Sequence, residues 1–365
     1  MPAPAHQFTP AARISPFCPR SLLPLVLCSV VNDLAPRAEG LPEGVLRAQL
    51  PTPFPVGPVN CYLLPEDPVT LVDPGMVIPE SMAMVDGLLG SAGLSLAEVD
   101  QVVVTHGHPD HYGAAGWVAE RSGAVVLSSA AEQARILRLE RPGWLELLAD
   151  LGIPEAYLET FPAVREEIVP LLHLPDPSAL RSVSDGDRLA AGGRSWTVME
   201  TPGHAVGHVS LWDGASSTLL SGDHLLPRIT PNPFVEADDG PTGRRHSLIE
   251  YLDSLDRFVA LDPAVGLPGH GPEYTDVPQL VERLRTHHAR RADRILAEVV
   301  ALGEPTPYEL SCRLFPDLAD FAVILGLSEV IGHLDLLVAE GRALQVEDHP
   351  VRFAALKNAA ASSDM

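Results

Sequence analysis

Apolar positions along this chain fall into short blocks that switch between two periods. Residues 45–50 and 59–64 predict a first pair of strands, in a folded unit that begins near Pro42. Apolar blocks at 70–72, 102–104, 124–128, 196–199, 218–220 and 265–267 predict further strands, and the continuous runs suit a sheet covered on both faces. Between them, 81–92 and 113–122 carry helical spacing. That order predicts an α/β domain over 42–276 in which two sheets lie between layers of helix.

Two regions depart from the alternation. Over 130–183 the spacing turns helical, with Ile136 and Leu139, then Trp144, Leu147 and Leu148, and later Ile168, Leu171 and Leu172, which predicts a helical insertion. Residues 277–302 predict one long amphipathic connecting helix carrying His287, His288, Arg290 and Arg291. Beyond it, 303–358 hold a short helix to Phe315, a second helix over 321–341 with Leu325, Leu327, Val330, Ile331, Leu334 and Leu337 on its apolar positions, and a closing strand. A tail follows at 359–365. At the other end, residues 1–41 are rich in proline and alanine, with Arg13 and Arg20 ahead of an apolar stretch at 22–31. Pro24 interrupts that stretch and no clean small-residue cleavage site follows it, so these residues read as a disordered or mis-annotated extension.

Composition narrows the partners. Of 365 residues 46% are apolar, enough for a sizeable core, and no run of eighteen apolar residues suggests a membrane span. The formal charge of -23 disfavours nucleic acid, whose binding depends on cationic neutralisation of phosphates. The same holds locally: over 305–365 nine acidic residues face four basic ones. Cys18, Cys28, Cys61 and Cys312 have neither metal-ligand nor disulfide spacing, which points to a reduced, cytoplasmic protein whose site uses nitrogen and oxygen ligands.

The chemistry is concentrated where strands end. Residues 105–112 read Thr-His-Gly-His-Pro-Asp-His-Tyr, directly after the apolar run at 102–104. Alternate side chains of a regular strand point to opposite faces, so a strand alone does not gather His106, His108, Asp110 and His111 at one point. A strand that stops and turns at Gly107 and Pro109 does. Imidazole and carboxylate together suit zinc or a similar transition metal. The same grammar of strand, glycine and ligand recurs at 201–208 (Thr-Pro-Gly-His-Ala-Val-Gly-His), 221–224 (Ser-Gly-Asp-His) and 268–272 (Pro-Gly-His-Gly-Pro). One such turn means little; four in order predict a metal site.

This set resembles the motifs of metallo-β-lactamase-fold hydrolases, with His-x-His-x-Asp-His at 106–111 and the remaining motifs in order to about residue 275. The resemblance implies an αββα sandwich, with 303–358 similar to the winged-helix-like domain appended to some of these enzymes. It implies that His106, His108 and His204 hold one metal, that Asp110, His111 and His270 hold a second, and that Asp223 bridges the two. Asp73, in the strand-turn at 70–75, matches the carboxylate that braces the ligand loop, and His208 a supporting histidine outside the ligand set. Two zinc ions are implied, with iron or manganese as alternatives; about 3.5 Å apart, such a pair clamps a bridging hydroxide as nucleophile. Asp110 and Asp223 are then the catalytic carboxylates.

In enzymes of this kind an insertion like 130–183 often shapes substrate access, and the loop after Asp223 offers Arg228 and Asn232 as substrate contacts. The leading expectation is hydrolysis of a small ester or thioester, in the manner of glyoxalase II-like enzymes and lactonases. Rival readings are a metal-dependent endoribonuclease or phosphodiesterase, a β-lactamase, and a non-enzymatic scaffold. The C-terminal unit is expected to serve as structure, as a homodimer contact or as one wall of the cleft.

Overall fold

A computed structural model describes residues 40–137, 143–238, 243–319 and 322–356. The apolar stretch at 22–31, Leu139 and the tail lie outside these residues. Two sheets carry the main domain. The first has six strands in sequence order: β1 (Leu46–Leu50), β2 (Val59–Leu64), β3 (Thr70–Val72), β4 (Gln101–Val103), β5 (Val125–Ser129) and β6 (Leu180–Val183). β1 to β3 pair antiparallel, and β3 to β6 pair parallel. The second sheet has five strands, β7 (Arg188–Ala191), β8 (Arg194–Glu200), β9 (Val209–Asp213), β10 (Thr218–Gly222) and β11 (Val265–Pro268), in the order β11-β10-β9-β8-β7.

Strand alternation explains the layering. Tyr62 and Leu64 face inward and meet Val72, Val103, Val198, Leu211, Leu220 and Leu267 between the sheets. Leu63, Leu71, Val102 and Val126 face outward, under helices Pro79–Ser91 and Ala115–Ser122. On the far side Met199 and Leu219 are covered by Leu248, Tyr251, Leu255 and Phe258 of helix Ser247–Leu261, and by Leu280, Val281 and Leu284 of helix Val277–Leu302. Helix, sheet, sheet and helix stack as predicted.

A fourth core joins the insertion to the C-terminal unit. Leu147, Leu148 and Leu151 of the insertion, Phe234 and Val235 of the loop after β10, and Ile324, Leu327, Val330 and Ile331 share one apolar cluster. The C-terminal unit itself is helix Pro307–Leu314, helix Ala322–Ala339, and the antiparallel pair β12 (Ala343–Asp348) and β13 (Val351–Ala355). Thr306 and Glu309 cap the first helix reciprocally, satisfying two amides that would otherwise lack partners.

One sequence expectation changes. The insertion does not run to 183, because Leu180–Val183 is the edge strand of the first sheet; only Leu180 and Val183 of its four residues are buried, so it has no alternation to read. Ala322–Ala339 is long and apolar enough to cross a membrane by length and composition, with mean hydropathy 1.8, although Ser328, Glu329, His333 and Asp335 interrupt its apolar sequence. Its window is 78% buried within the fold, the mark of a core helix.

Candidate metal centre

Every predicted motif leaves the end of a strand at the same edge of the sandwich: Asp73 after β3, residues 104–111 after β4, 201–208 after β8, Asp223 after β10 and His270 after β11. The ligand loop after β4 closes into a single helical turn, Pro109–Tyr112, begun by proline, whose fixed φ suits a first helical position. Asp110 and His111 therefore sit on a turn, whereas His106 and His108 precede it. Two glycines make the approach between loops feasible. Gly222 has φ 50°, and a Cβ there would come 2.5 Å from His208 Nε2. A Cβ on Gly269 would come 2.1 Å from Asp223 Oδ1.

The loops bring all seven predicted ligands together. His106 Nε2 and His204 Nε2 lie 2.9 and 3.0 Å from His108 Nδ1. Opposite them, His270 Nε2 is 3.4 Å from Asp110 Oδ2. Asp223 Oδ2 lies between the groups, 3.7 Å from His204 Nε2, 3.4 Å from His111 Nε2 and 3.5 Å from His270 Nε2. Three of the four ligand sets close enough to hold a metal ion among the described residues lie here: His106, His108 and His204; His106, His111 and Asp223; Asp110, His111 and His270.

Outer hydrogen bonds decide which ring nitrogens face inward. Asp73 takes Thr105 N at 2.8 Å on one oxygen, and the Thr105 hydroxyl at 2.7 Å and His111 Nδ1 at 2.8 Å on the other. The Thr105 proton is thereby committed, so its oxygen, 3.0 Å from His106 Nδ1, accepts that nitrogen's proton. His204 Nδ1 donates to the Asn232 carbonyl and His270 Nδ1 to the Pro58 carbonyl, each at 2.9 Å. With Nδ1 carrying the proton, Nε2 of His106 and of His204 is left as a lone pair facing the centre, and Asp223 Oδ1 is buried without a hydrogen-bond partner among the described residues. Converging lone pairs with so few protons between them are what a borderline divalent cation satisfies; the donor set fits.

Charge agrees. Burial alone would raise the Asp223 carboxyl, but His270, His111 and His204 outweigh it and hold its pKa well below the usual carboxylate value. Burial likewise opposes ionisation of Asp110, and His111 and His270 still bring it down. Burial and the neighbouring imidazoles keep His106 far below the ordinary histidine pKa, hence neutral. His111 is the reverse case: burial works against its proton, yet Asp223, Asp73 and Asp110 raise its pKa well above the ordinary value. In the metal-free chain that proton supplies the positive charge the carboxylates demand.

His208 stands outside the ligand set, accepting the Asp223 amide at 3.1 Å through Nε2 and therefore donating from Nδ1 to Thr201 Oγ1 at 2.8 Å. Arg228 is half-buried in the loop after β10. Asn232 is tied elsewhere, for its side-chain amide donates to the Leu325 carbonyl.

The sequence reading missed Glu132. Its fully buried carboxylate accepts Gly107 N and Gly207 N, each at 2.6 Å, and so clamps the loop of His106 and His108 to the loop of His204 and His208. Arg135 stands 3.6 Å away and pairs with Glu236 on its other side. A signal was present: Glu132 precedes buried Ile136 by four residues and shares its helix face. Asn60 was missed too. From the fully buried β2 it donates to the Pro268 and Gly271 carbonyls at 2.8 Å, fixing the His270 loop.

Comparison with known proteins gives the same picture. The family model described as the metallo-beta-lactamase superfamily matches residues 54–270. A Bacillus subtilis protein named a probable metallo-hydrolase is 30% identical over 302 residues, which is 82% of this chain and 93% of that one. A hydroxyacylglutathione hydrolase from Rhodospirillum rubrum is 37% identical over 134 residues, 36% of this chain and 48% of its own length. Among solved structures, a metallo-beta-lactamase family protein from Thermus thermophilus superposes with a TM-score of 0.75 at 31% identity, covering 87% of this chain and 100% of that one.

Proposed function

The chain belongs to the metallo-β-lactamase superfamily and is a metallo-hydrolase; on that premise we propose that it cleaves a small ester or thioester with two metal ions. The observation that carries the reading is Asp223 Oδ2, which stands between two sets of three ligands and within 3.7 Å of a histidine from each. His106, His108 and His204 would hold one ion, Asp110, His111 and His270 the other, and Asp223 would serve both. Zinc is the metal we assign, from its fit to imidazole and carboxylate. Ions held there supply Lewis acidity, polarising a carbonyl oxygen and lowering the pKa of water to about 7.

The chain's own groups do the rest. Asp73 fixes the tautomers of His106 and His111, directly for one and through Thr105 for the other. Asp110, the carboxylate not shared between the sets, takes the proton released as water adds to the carbonyl. Phe234 sets its ring 5.6 Å from that of His108, giving the site an apolar neighbour suited to an acyl group. Arg228 is the nearest cation in sequence to Asp223 and would meet an anionic part of the substrate. Two facts support a small thioester. The net charge of -23 repels polyanions, and acylglutathione, a thioester, is the substrate class in the name of the Rhodospirillum relative.

A panel of thioesters, lactones, phosphodiesters, nitrocefin and single-stranded RNA tests this, with Asp223→Ala as control. Thioester or lactone turnover that is lost in the variant is expected. RNA cleavage lost in the variant, with no ester turnover, would replace this reading by the endoribonuclease one.

A further inference from the structure

His204 reaches the metal centre on a support that comes from the C-terminal unit. Its Nδ1 donates to the Asn232 carbonyl at 2.9 Å, and the Asn232 side-chain amide donates to the Leu325 carbonyl of helix Ala322–Ala339, also at 2.9 Å. Three residues on, Val235 N donates to Ser328 Oγ of the same helix at 3.1 Å. Between these anchors Pro233 lies against Gly332, where a Cβ would come within 3.3 Å of its ring, and Phe234 meets His108. Phe234 and Val235 are part of the apolar cluster that the helix fills with Leu327, Val330 and Ile331.

The other ligand set is held from a different side. Asp73 holds His111, the Pro58 carbonyl holds His270, and Asn60 and Tyr62 both donate to the Pro268 carbonyl just before His270. Asp73 reaches both sets, directly at His111 and through Thr105 at His106, but the remaining supports come from separate parts of the fold. His204 and the ring beside His108 depend on the seat of the C-terminal helix; His111 and His270 depend on β2 and β3.

We propose that helix Ala322–Ala339 sets the affinity of one metal position, that of His106, His108 and His204, with Asn232 as the positioning residue that transmits the helix's seat to His204. The inference rests on the two-metal reading above. A partner or ligand that shifts the C-terminal unit against the loop would thus loosen one ion and leave the second in place.

Full-length Asn232→Asp keeps the size of the side chain but removes the donor that faces the Leu325 carbonyl. Metal-free wild type and variant are titrated with Zn2+ or Co2+ against a chelator so that the two affinities are resolved, with thermal melts to check folding. The expected result is a loss of roughly tenfold or more for one ion, with the other within about threefold. Ser328→Ala, which removes the second anchor, should reproduce the split in smaller measure, and it carries the test if Asn232→Asp does not fold. Thr306→Ala weakens the C-terminal unit at its helix cap, away from this loop, and should leave both affinities within about threefold. Equal losses at both ions, no loss at either, or a split of the same size in Thr306→Ala overturns the proposal. A wild-type chain that takes up fewer than two ions overturns the two-metal reading and this inference with it. Failure to find a substrate touches neither, since the assay reads metal and not turnover.

Discussion

Replacing Glu132 by glutamine should loosen the metal centre without altering any ligand. The wild-type carboxylate gives one oxygen to Gly107 N and the other to Gly207 N. An amide of the same shape keeps one oxygen and turns two N–H groups toward the second peptide N–H. One charge-assisted bond is lost, the other becomes neutral, and a donor is left buried without an acceptor. Bonds to charged groups contribute about 1.5–3 kcal/mol and an orphaned buried donor costs about 1–3 kcal/mol, so the net loss should be about 2–4 kcal/mol of stability. Part of it should appear as metal affinity, because the two clamped loops carry His106, His108 and His204. Weakened outer partners cost such sites roughly 10- to 100-fold in affinity. Urea unfolding of the metal-free chain measures the first quantity and chelator competition the second. Stability within about 0.5 kcal/mol of wild type, together with unchanged metal affinity, would refute the clamp; surface substitutions stay within that margin.

Three further outcomes follow from the same geometry. Asp73→Asn should lower kcat/KM by roughly 100-fold, because asparagine tolerates the φ of 51° at this position yet its one oxygen cannot accept Thr105 N on one side and the Thr105 hydroxyl and His111 on the other; a near-normal kcat/KM would show that Asp73 does not set the tautomers. Metal affinity should rise with pH, because the raised pKa of His111 means that an incoming ion must displace its proton; a flat titration between about pH 6 and 8 would contradict this. In the metal-free chain the same proton contributes stability that is present below the unfolded value of about 6.5 and is lost as pH rises through the folded one. Arg228→Ala should raise KM about tenfold for an anionic thioester and leave a neutral lactone within about twofold, and equal effects on both would remove Arg228 from the substrate site.

How far the sequence reveals this protein depends on how local each interaction is. The seven candidate ligands that the structure brings together were legible because each follows an apolar strand in a segment that turns at glycine or proline, a pattern contained within a few residues. Helix 277–302 was legible to the residue, since a long amphipathic stripe overrides weak end signals. Glu132 was not, because its partners are backbone amides 25 and 75 residues away, and a backbone N–H has no residue type to betray it. Asn232 shows the same limit from the other side. Its polarity and its place after Asp223 suggested a substrate contact, but the structure engages its carbonyl with His204 and its amide with Leu325, 93 residues along the chain. The edge strand Leu180–Val183 escaped because two exposed residues between two buried ones carry no strand period. What local pattern encodes, then, is which side chains converge on the candidate metal centre; what holds them in place is non-local. The insertion, the loop after β10 and the C-terminal helix share one apolar core, so the surroundings of His108 and His204 depend on segments separated by some 180 residues, from Leu147 to Ile331. Substrate specificity, set by those same surroundings, should accordingly respond to substitutions in the C-terminal helix as readily as to substitutions beside the metal.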